Sequence, residues 1–377
     1  RTAEGDDAPN RDAPSSSVRP PRLVLLTNLH MRHAALLAAV SGALAALYWW
    51  RRRRTQRSRE RLEARKRYER DGFIIMRSVL SADDLAMLRS DLSALTQRVA
   101  AERGLHTNAP FELAVAELEA KDPGFGAALH AAMALTPAVA AIWRHPLLLE
   151  RVHHLTGWDA IAAHPIFNIR PKSPSARELN YGMHQDLAFW PELARQVQVC
   201  ACWLPLVPVS RQNGTLQLIR GSHAEHRLFE HRLAPDGSAA PYVPDAAQPV
   251  GERVLADLEV GDAVFFQEHT VHGGCGPNQS DSVRWAVDFR WQPHDQPNFL
   301  TGATDCIRLW DVEKGTAKVD VAAWATWWAA QERQRKAERA WVTRWPPKEF
   351  DGRPHHRHWL SRCTTLDESA TVWKRTV

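Results

Sequence analysis

The eight residues Arg284-Trp-Ala-Val-Asp-Phe-Arg-Trp291 alternate between two kinds of side chain. In an extended chain Arg284, Ala286, Asp288 and Arg290 fall on one side, and Trp285, Val287, Phe289 and Trp291 on the other. A helix would mix the two sets on every face; a strand separates them into an apolar layer and a charged one. The apolar layer asks for a core, and a buried Arg on the inner layer asks for an anionic partner. Around this segment the text reads as short strands between turn residues, at 160–169, 197–206, 215–219, 252–256, 262–267 and 283–291. Helical text precedes them. Ser81 starts a helix with Asp83 and Asp84 in its first turn, and Leu85, Leu88, Leu92, Leu95 and Val99 follow at spacings of three and four. More helix is expected through 126–156, ending at Gly157. Helices first and many short strands afterwards predict an α+β protein with a double-sheet β core.

The 377 residues carry a formal net charge of +5, and the excess is local. Residues 51–70 hold ten Arg, one Lys and three Glu, while the stretch 71–377 is net acidic. That excludes a uniformly basic protein that coats nucleic acid, and no nucleic-acid partner is expected. Ala34–Trp50 precedes the basic run with 17 uncharged residues, about 26 Å as a helix and enough for a thin bilayer. Tyr48, Trp49 and Trp50 stand where an interfacial aromatic belt would lie, directly before Arg51–Arg54. The positive-inside rule then puts everything after Trp50 in the cytoplasm, so the expectation is membrane association through residues 34–54. An export signal and a buried Ala-rich helix are the competing readings of the apolar stretch; a nuclear-localisation or nucleic-acid patch is that of the Arg run. The expected organisation is a disordered leader over 1–30, a transmembrane segment over 31–50, a basic juxtamembrane segment over 51–67, a globular domain over 68–300 and a Trp-rich helical extension over 301–377. Five Cys without a Cys-x-x-Cys pair favour a reducing compartment, with Cys200 and Cys202 as small apolar residues on one strand face.

Chemistry concentrates in four residues. His184 and Asp186, two apart on an extended stretch, point to one side and can share a metal. His272 follows the apolar strand Ala263–Phe266. Two imidazoles and one carboxylate make the facial set that holds non-haem Fe(II) with positions left open. Arg284 lies twelve residues further on, where a carboxylate-bearing cosubstrate would supply its anion in bidentate geometry.

The order His184-Gln-Asp186, Asn213-Gly214-Thr-Leu216, Gly221-Ser-His223, Gly261-Asp-Ala-Val-Phe-Phe266, His272-Gly-Gly-Cys-Gly-Pro-Asn278 and Arg284 resembles the phytanoyl-CoA dioxygenase family of Fe(II)/2-oxoglutarate oxygenases. Asp71-Gly72-Phe73 through Leu80-Ser81 resembles that family's opening, and the likeness covers about residues 68–295. It implies a double-stranded β-helix of jelly-roll, cupin-like form with flanking helices. His184, Asp186 and His272 are implied as iron ligands, Arg284 as the partner of the distal carboxylate of 2-oxoglutarate, and Trp203 and Asn168 as lining of the cosubstrate pocket. O2 is the other cosubstrate, and the implied reaction hydroxylates a small organic or lipid-like substrate with release of succinate and CO2. Asp186 stands where related halogenases have a small residue, which favours hydroxylation. One departure is visible: where the family commonly has His-Gly-Ser-Gly-Pro-Asn, Gly274-Cys275-Gly276 adds a residue and drops the Ser.

Other readings stay open at this level. His269 competes with His272 as a ligand, Arg290 with Arg284 as the anchor, and His223 is a residue of a turn. Arg170 and Lys172 read as a solvated loop, and His355, His356 and His358 as an exposed tail. Trp324, Trp327 and Trp328 share a helical face suited to packing on the β core, with a lid over the site as the alternative and Trp341 further along the same stretch. A non-catalytic scaffold and a cupin-like isomerase are the rival functions; the isomerase would have no use for Arg284.

Overall fold

The computed structural model describes residues 22–174, 182–190, 193–233, 241–296 and 306–342, with side chains of the first helix described from residue 41. The chain divides into two compact units, 1–60 and 61–377. Helix α1 (Arg22–Asp71) runs through the apolar stretch and the basic run without a break. Arg, Glu, Gln and Ala are good helix formers and no Pro or Gly punctuates residues 51–70, so the apolar anchor expected as a separate element is instead the middle of one long helix. Among the described residues no single helix is long and apolar enough to cross a membrane. Residues 34–40 of the expected anchor lie where side chains are not described, and most of the leader, 1–21, lies outside the described residues.

The second unit continues with β1 (Phe73–Met76), α2 (Ala82–Glu102), α3 (Phe111–Lys121), α4 (Phe125–Ala132), α5 (Pro137–Trp143) and α6 (Pro146–Thr156). Ser81 caps α2 reciprocally: the Asp84 amide donates to its Oγ at 3.1 Å and its own amide donates to Asp84 Oδ2 at 2.7 Å. Asp84 thus serves a capping box and not only the helix dipole. The helical text expected through 126–156 is divided among three helices, α4, α5 and α6. Pro137 and Pro146 each open a new one, where a missing N–H costs nothing, and Gly157 closes the last in a left-handed conformation.

The strands follow: β2 (Ala160–Ala163), β3 (Asn168–Lys172), β4 (Cys200–Pro205), β5 (Leu216–Ile219), β6 (Arg232–Leu233), β7 (Pro241–Tyr242), β8 (Arg253–Leu255), β9 (Ala263–Gln267), β10 (His272–Gly274), β11 (Arg284–Pro293), β12 (Ile307–Asp311) and β13 (Gly315–Thr316), before helix α7 (Val321–Val342). They form a large antiparallel sheet in the order β1-β9-β4-β11-β2-β12-β13, with β3 also on β11, a small sheet β10-β5-β8, and the pair β6-β7. This is the α+β class expected. Gly261 ties the entry of β9 to the exit of β1: its carbonyl accepts from the Val79 and Leu80 amides, and at φ +93° a side chain there would collide with the Leu80 carbonyl. Asp262 completes the joint by accepting from the Ser78 amide and from Arg77.

Strand β11 is buried along its whole length. Its apolar face is pinned by α5. The Trp143 ring stacks on Phe289 at 5.5 Å, its Nε1 donates to the Arg290 carbonyl, and its carbonyl accepts from Trp291 Nε1, both at 3.1 Å. Trp324 and Trp328 of α7 pack onto the same aromatic layer, against Trp143 at 5.1 Å and Phe167 at 4.8 Å. The reading of these tryptophans as packing residues holds. The side chain of Trp341 and residues 355–358 lie outside the described residues. Cys200 and Cys202 are fully buried, and burial pushes the Cys200 thiol up to about 12, as for inert core residues.

Candidate active site

The charged face of β11 looks into a small cavity of about 50 Å³ between the large and small sheets, bordered by Trp203 and Phe266 on one side and Leu216 and His272 on the other. His184 and His272 are held together by their backbones. They form an isolated antiparallel bridge in which the His184 amide donates to the His272 carbonyl at 2.7 Å and the His272 amide returns the bond at 2.9 Å. Asp186 is not on a strand, as the spacing suggested; it opens a one-turn 3₁₀ helix, Asp186–Phe189. The intervening Gln185 fixes that change of direction. Its amide group donates to the Arg227 and His269 carbonyls, its carbonyl accepts from the Phe229 amide, and its backbone N–H donates to His231 Nε2. Burial pulls His231 down to about 4, so the ring is neutral and able to accept.

Donor atoms of His184, Asp186 and His272 lie within 4.8 Å of one another, and all three residues are buried. Each imidazole is oriented through its other nitrogen: His184 Nδ1 contacts the Gly182 carbonyl at 2.7 Å and His272 Nδ1 the Thr270 carbonyl at 3.0 Å. As donors there, both rings keep the lone pair on Nε2 for the shared space. Burial drives both toward the neutral form, His184 down to about 3. Burial alone would raise the Asp186 carboxyl; the Arg290 guanidinium outweighs it and holds it ionised. Two neutral imidazoles and one carboxylate are the ligand states a divalent iron needs.

Arg284 is 5% exposed, and its Nε and Nη1 have no hydrogen-bond partner among the described residues. The guanidinium stands 5.6 Å from the Trp203 ring centroid, and burial together with Arg170 pulls its pKa down to about 9. An unpaired buried cation is costly, and an entering carboxylate would relieve it. The residues therefore fit both iron and a dicarboxylate cosubstrate.

The other candidates sort plainly. Arg290 is no rival anchor: its Nε and Nη2 donate to Asp186 at 2.8 and 3.0 Å, and its Nη1 donates to Asp288 at 2.6 Å. Asn168 is outside the cavity lining and donates to Asp288 Oδ1 at 2.7 Å. Arg170 and Lys172 are not in a loop but on β3, paired with β11. Arg170 donates to Asp288 at 2.6 Å and borders the cavity. Lys172 is fully buried directly opposite Arg284 and donates to the Gly276 carbonyl; burial and Arg284 pull it down to about 8. His269 Nδ1 sits beside Glu268 at 3.4 Å and does not belong to the clustered metal donors, and His223 Nε2 contacts the Glu69 carbonyl at 2.8 Å. Cys275, the extra residue of the turn, reaches the Arg211 carbonyl through its sulfur. The sequence reading gave Gln185 and Asp288 no role at the site, and it took Lys172 for part of a solvated loop. Only Asp288 left a signal there, as a carboxylate on the charged face.

The site is that of a non-haem iron, 2-oxoglutarate-dependent dioxygenase. The family model "Phytanoyl-CoA dioxygenase (PhyH)" matches residues 68–286, and the chain belongs to that family. Peroxisomal phytanoyl-CoA dioxygenase of Rattus norvegicus is 24% identical over 274 residues, covering 69% of this chain and 73% of the relative. The 1-deoxypentalenic acid 11-beta-hydroxylase of Streptomyces arenae is 27% identical over 194 residues, covering 46% and 64%. Among solved structures, the epimerase SnoN with Fe3+, alpha ketoglutarate and nogalamycin RO is 18% identical, covers 63% of this chain and 85% of its own, and superposes with a TM-score of 0.44.

Proposed function

We propose that this enzyme, on a double-stranded β-helix of cupin type, hydroxylates a C–H bond of a small organic or lipid-like substrate. The observation that carries the reading is Arg284, a buried guanidinium whose Nε and Nη1 have no hydrogen-bond partner among the described residues, on the cavity that His184 and His272 also line, with Asp186 clustered beside those imidazoles. Bound iron would supply, with 2-oxoglutarate and O2, an oxidative decarboxylation that yields succinate and CO2 and places oxygen on the substrate. The chain's own part is arrangement. His184 and His272 present neutral nitrogens, Asp186 presents charge, and Arg284 would take the far carboxylate with Trp203 as a wall. Asp186 occupies the position that a halide would need, which supports hydroxylation over halogenation. An isomerase would leave Arg284 without a role.

The test is anaerobic loading with Fe(II) and 2-oxoglutarate, then succinate release on admitting O2 with candidate substrates. Cosubstrate binding and substrate-stimulated succinate are expected. A folded protein that binds neither iron nor 2-oxoglutarate would point to a scaffold instead.

We also infer a membrane tether that leaves the catalytic domain on the cytoplasmic side. Supporting it, Leu44, Tyr48, Trp49 and Trp50 are each more than half exposed on α1, and Arg53 and Arg54 follow, stacked over Trp49 and Trp50. Such a surface suits an anionic bilayer interface. Fractionation with and without residues 31–54 tests it; equal solubility of both forms sinks the tether.

A further inference from the structure

The three metal donors are not held in the same way. His184 and His272 hold each other through paired backbone hydrogen bonds, so the sheet register sets their separation. Asp186 lies on a 3₁₀ turn with no ladder partner. What reaches it is Arg290, 104 residues away, which contacts both carboxylate oxygens: Nε to Oδ2 at 2.8 Å and Nη2 to Oδ1 at 3.0 Å. Oδ1 is also the oxygen that faces His272 Nε2, at 3.9 Å. A two-pronged contact fixes the plane of the carboxylate as well as its distance.

The fork is itself braced. Arg290 Nη1 donates to Asp288, which also accepts from Asn168 and Arg170 of the neighbouring strand. Arg290, Asp288 and Asp186 are each 5% exposed or less. The brace therefore runs from β3 through β11 to the turn, and it lets two neighbouring buried carboxylates stay ionised together.

We propose that Arg290 is a positioning residue that fixes how Asp186 is presented to the metal. This rests on reading His184, Asp186 and His272 as the iron ligands. Arg290 would thus hold the Asp186 carboxylate already aimed when a metal arrives. A lysine would keep the charge but not the fork, so Arg290→Lys separates orientation from electrostatics.

The experiment titrates the full-length wild type and R290K with Co(II) alone, without oxygen, following visible absorption, with thermal unfolding of both as the control for folding. R290K is expected to melt within a few degrees of wild type. Its Co(II) affinity is expected to fall about 10- to 100-fold, the range for groups that orient metal ligands. Its absorption band should shift as the freed carboxylate changes the ligand field. Equal affinity and an equal band in a folded R290K overturn the proposal. If R290K does not fold, Asp288→Asn decides: it removes the brace and should weaken Co(II) on the order of tenfold, whereas wild-type affinity overturns the proposal. A wild type that binds no Co(II) removes the ligand assignment itself, a failure distinct from the other two.

Discussion

Arg284 and Arg290 stand six residues apart on one face of one strand, and both are almost wholly buried. Their surroundings are opposite. Arg290 spends its fork on Asp186 and a third donor on Asp288, and those carboxylates raise its pKa against the opposing effect of burial. Arg284 has two orphaned nitrogens, another cation directly across the sheet, and a pKa pulled down to about 9. Identical chemistry at equal depth thus meets opposite surroundings: one guanidinium is paired with two carboxylates, and the other has two donors left without a hydrogen bond among the described residues.

The sharpest way to break this comparison is to unpair the paired end. Asp186→Ala should destabilise the metal-free protein by about 3–5 kcal/mol, because it strands part of the Arg290 fork in a buried site. Urea unfolding measures this, and succinate release by the same variant should drop to the level of the protein-free control. Arg284→Ala should do the reverse to the apoprotein, leaving stability unchanged or higher. Its cost falls on 2-oxoglutarate, whose affinity should weaken by about 2 kcal/mol or more, on the order of 30-fold, as read by calorimetry on the metal-loaded protein. Retained affinity would mean that the two arginines do not differ in purpose.

The smallest effect concerns Lys172, the cation opposite Arg284. Its folded pKa of about 8 lies below the usual lysine value, because burial and Arg284 disfavour the ammonium. Between about pH 8 and 10.5 the unfolded chain therefore binds more protons than the folded one. Stability contributed by this group should then rise with pH, by at most about 1.4 kcal/mol per pH unit. Denaturant midpoints at pH 8 and 9.5 should show a larger gain for wild type than for Lys172→Met.

Much of the site was legible in local patterns. The two-residue alternation of 284–291 separates the core face from the charged face, and of the residues the motif order singled out, His184, His272 and Arg284 line one cavity while Asp186 clusters with the two imidazoles. What local patterns missed has physical causes. Pro171, close to Ser173-Pro174, made the second half of β3 look like a loop, yet the strand pairs along β11 with Pro171 opposite Trp285. The helix boundaries at Pro137 and Pro146 were hidden by apolar text that continues across both prolines. The Arg290–Asp186 pair joins residues 104 positions apart, and only the folded chain brings them together. Gln185 looked like a spacer because its four hydrogen bonds all go to backbone or to a distant His.

The backbone bridge between His184 and His272 gives the centre a reporter of its own. Each of these amide hydrogens is committed to the other residue's carbonyl, so neither can exchange with solvent deuterium unless the two imidazole-bearing segments part. Two amides, at 184 and 272, would then slow together when an ion ties the segments and quicken together when they separate. The integrity of the centre could be followed in a protein whose substrate has never been added, residue by residue and without turnover.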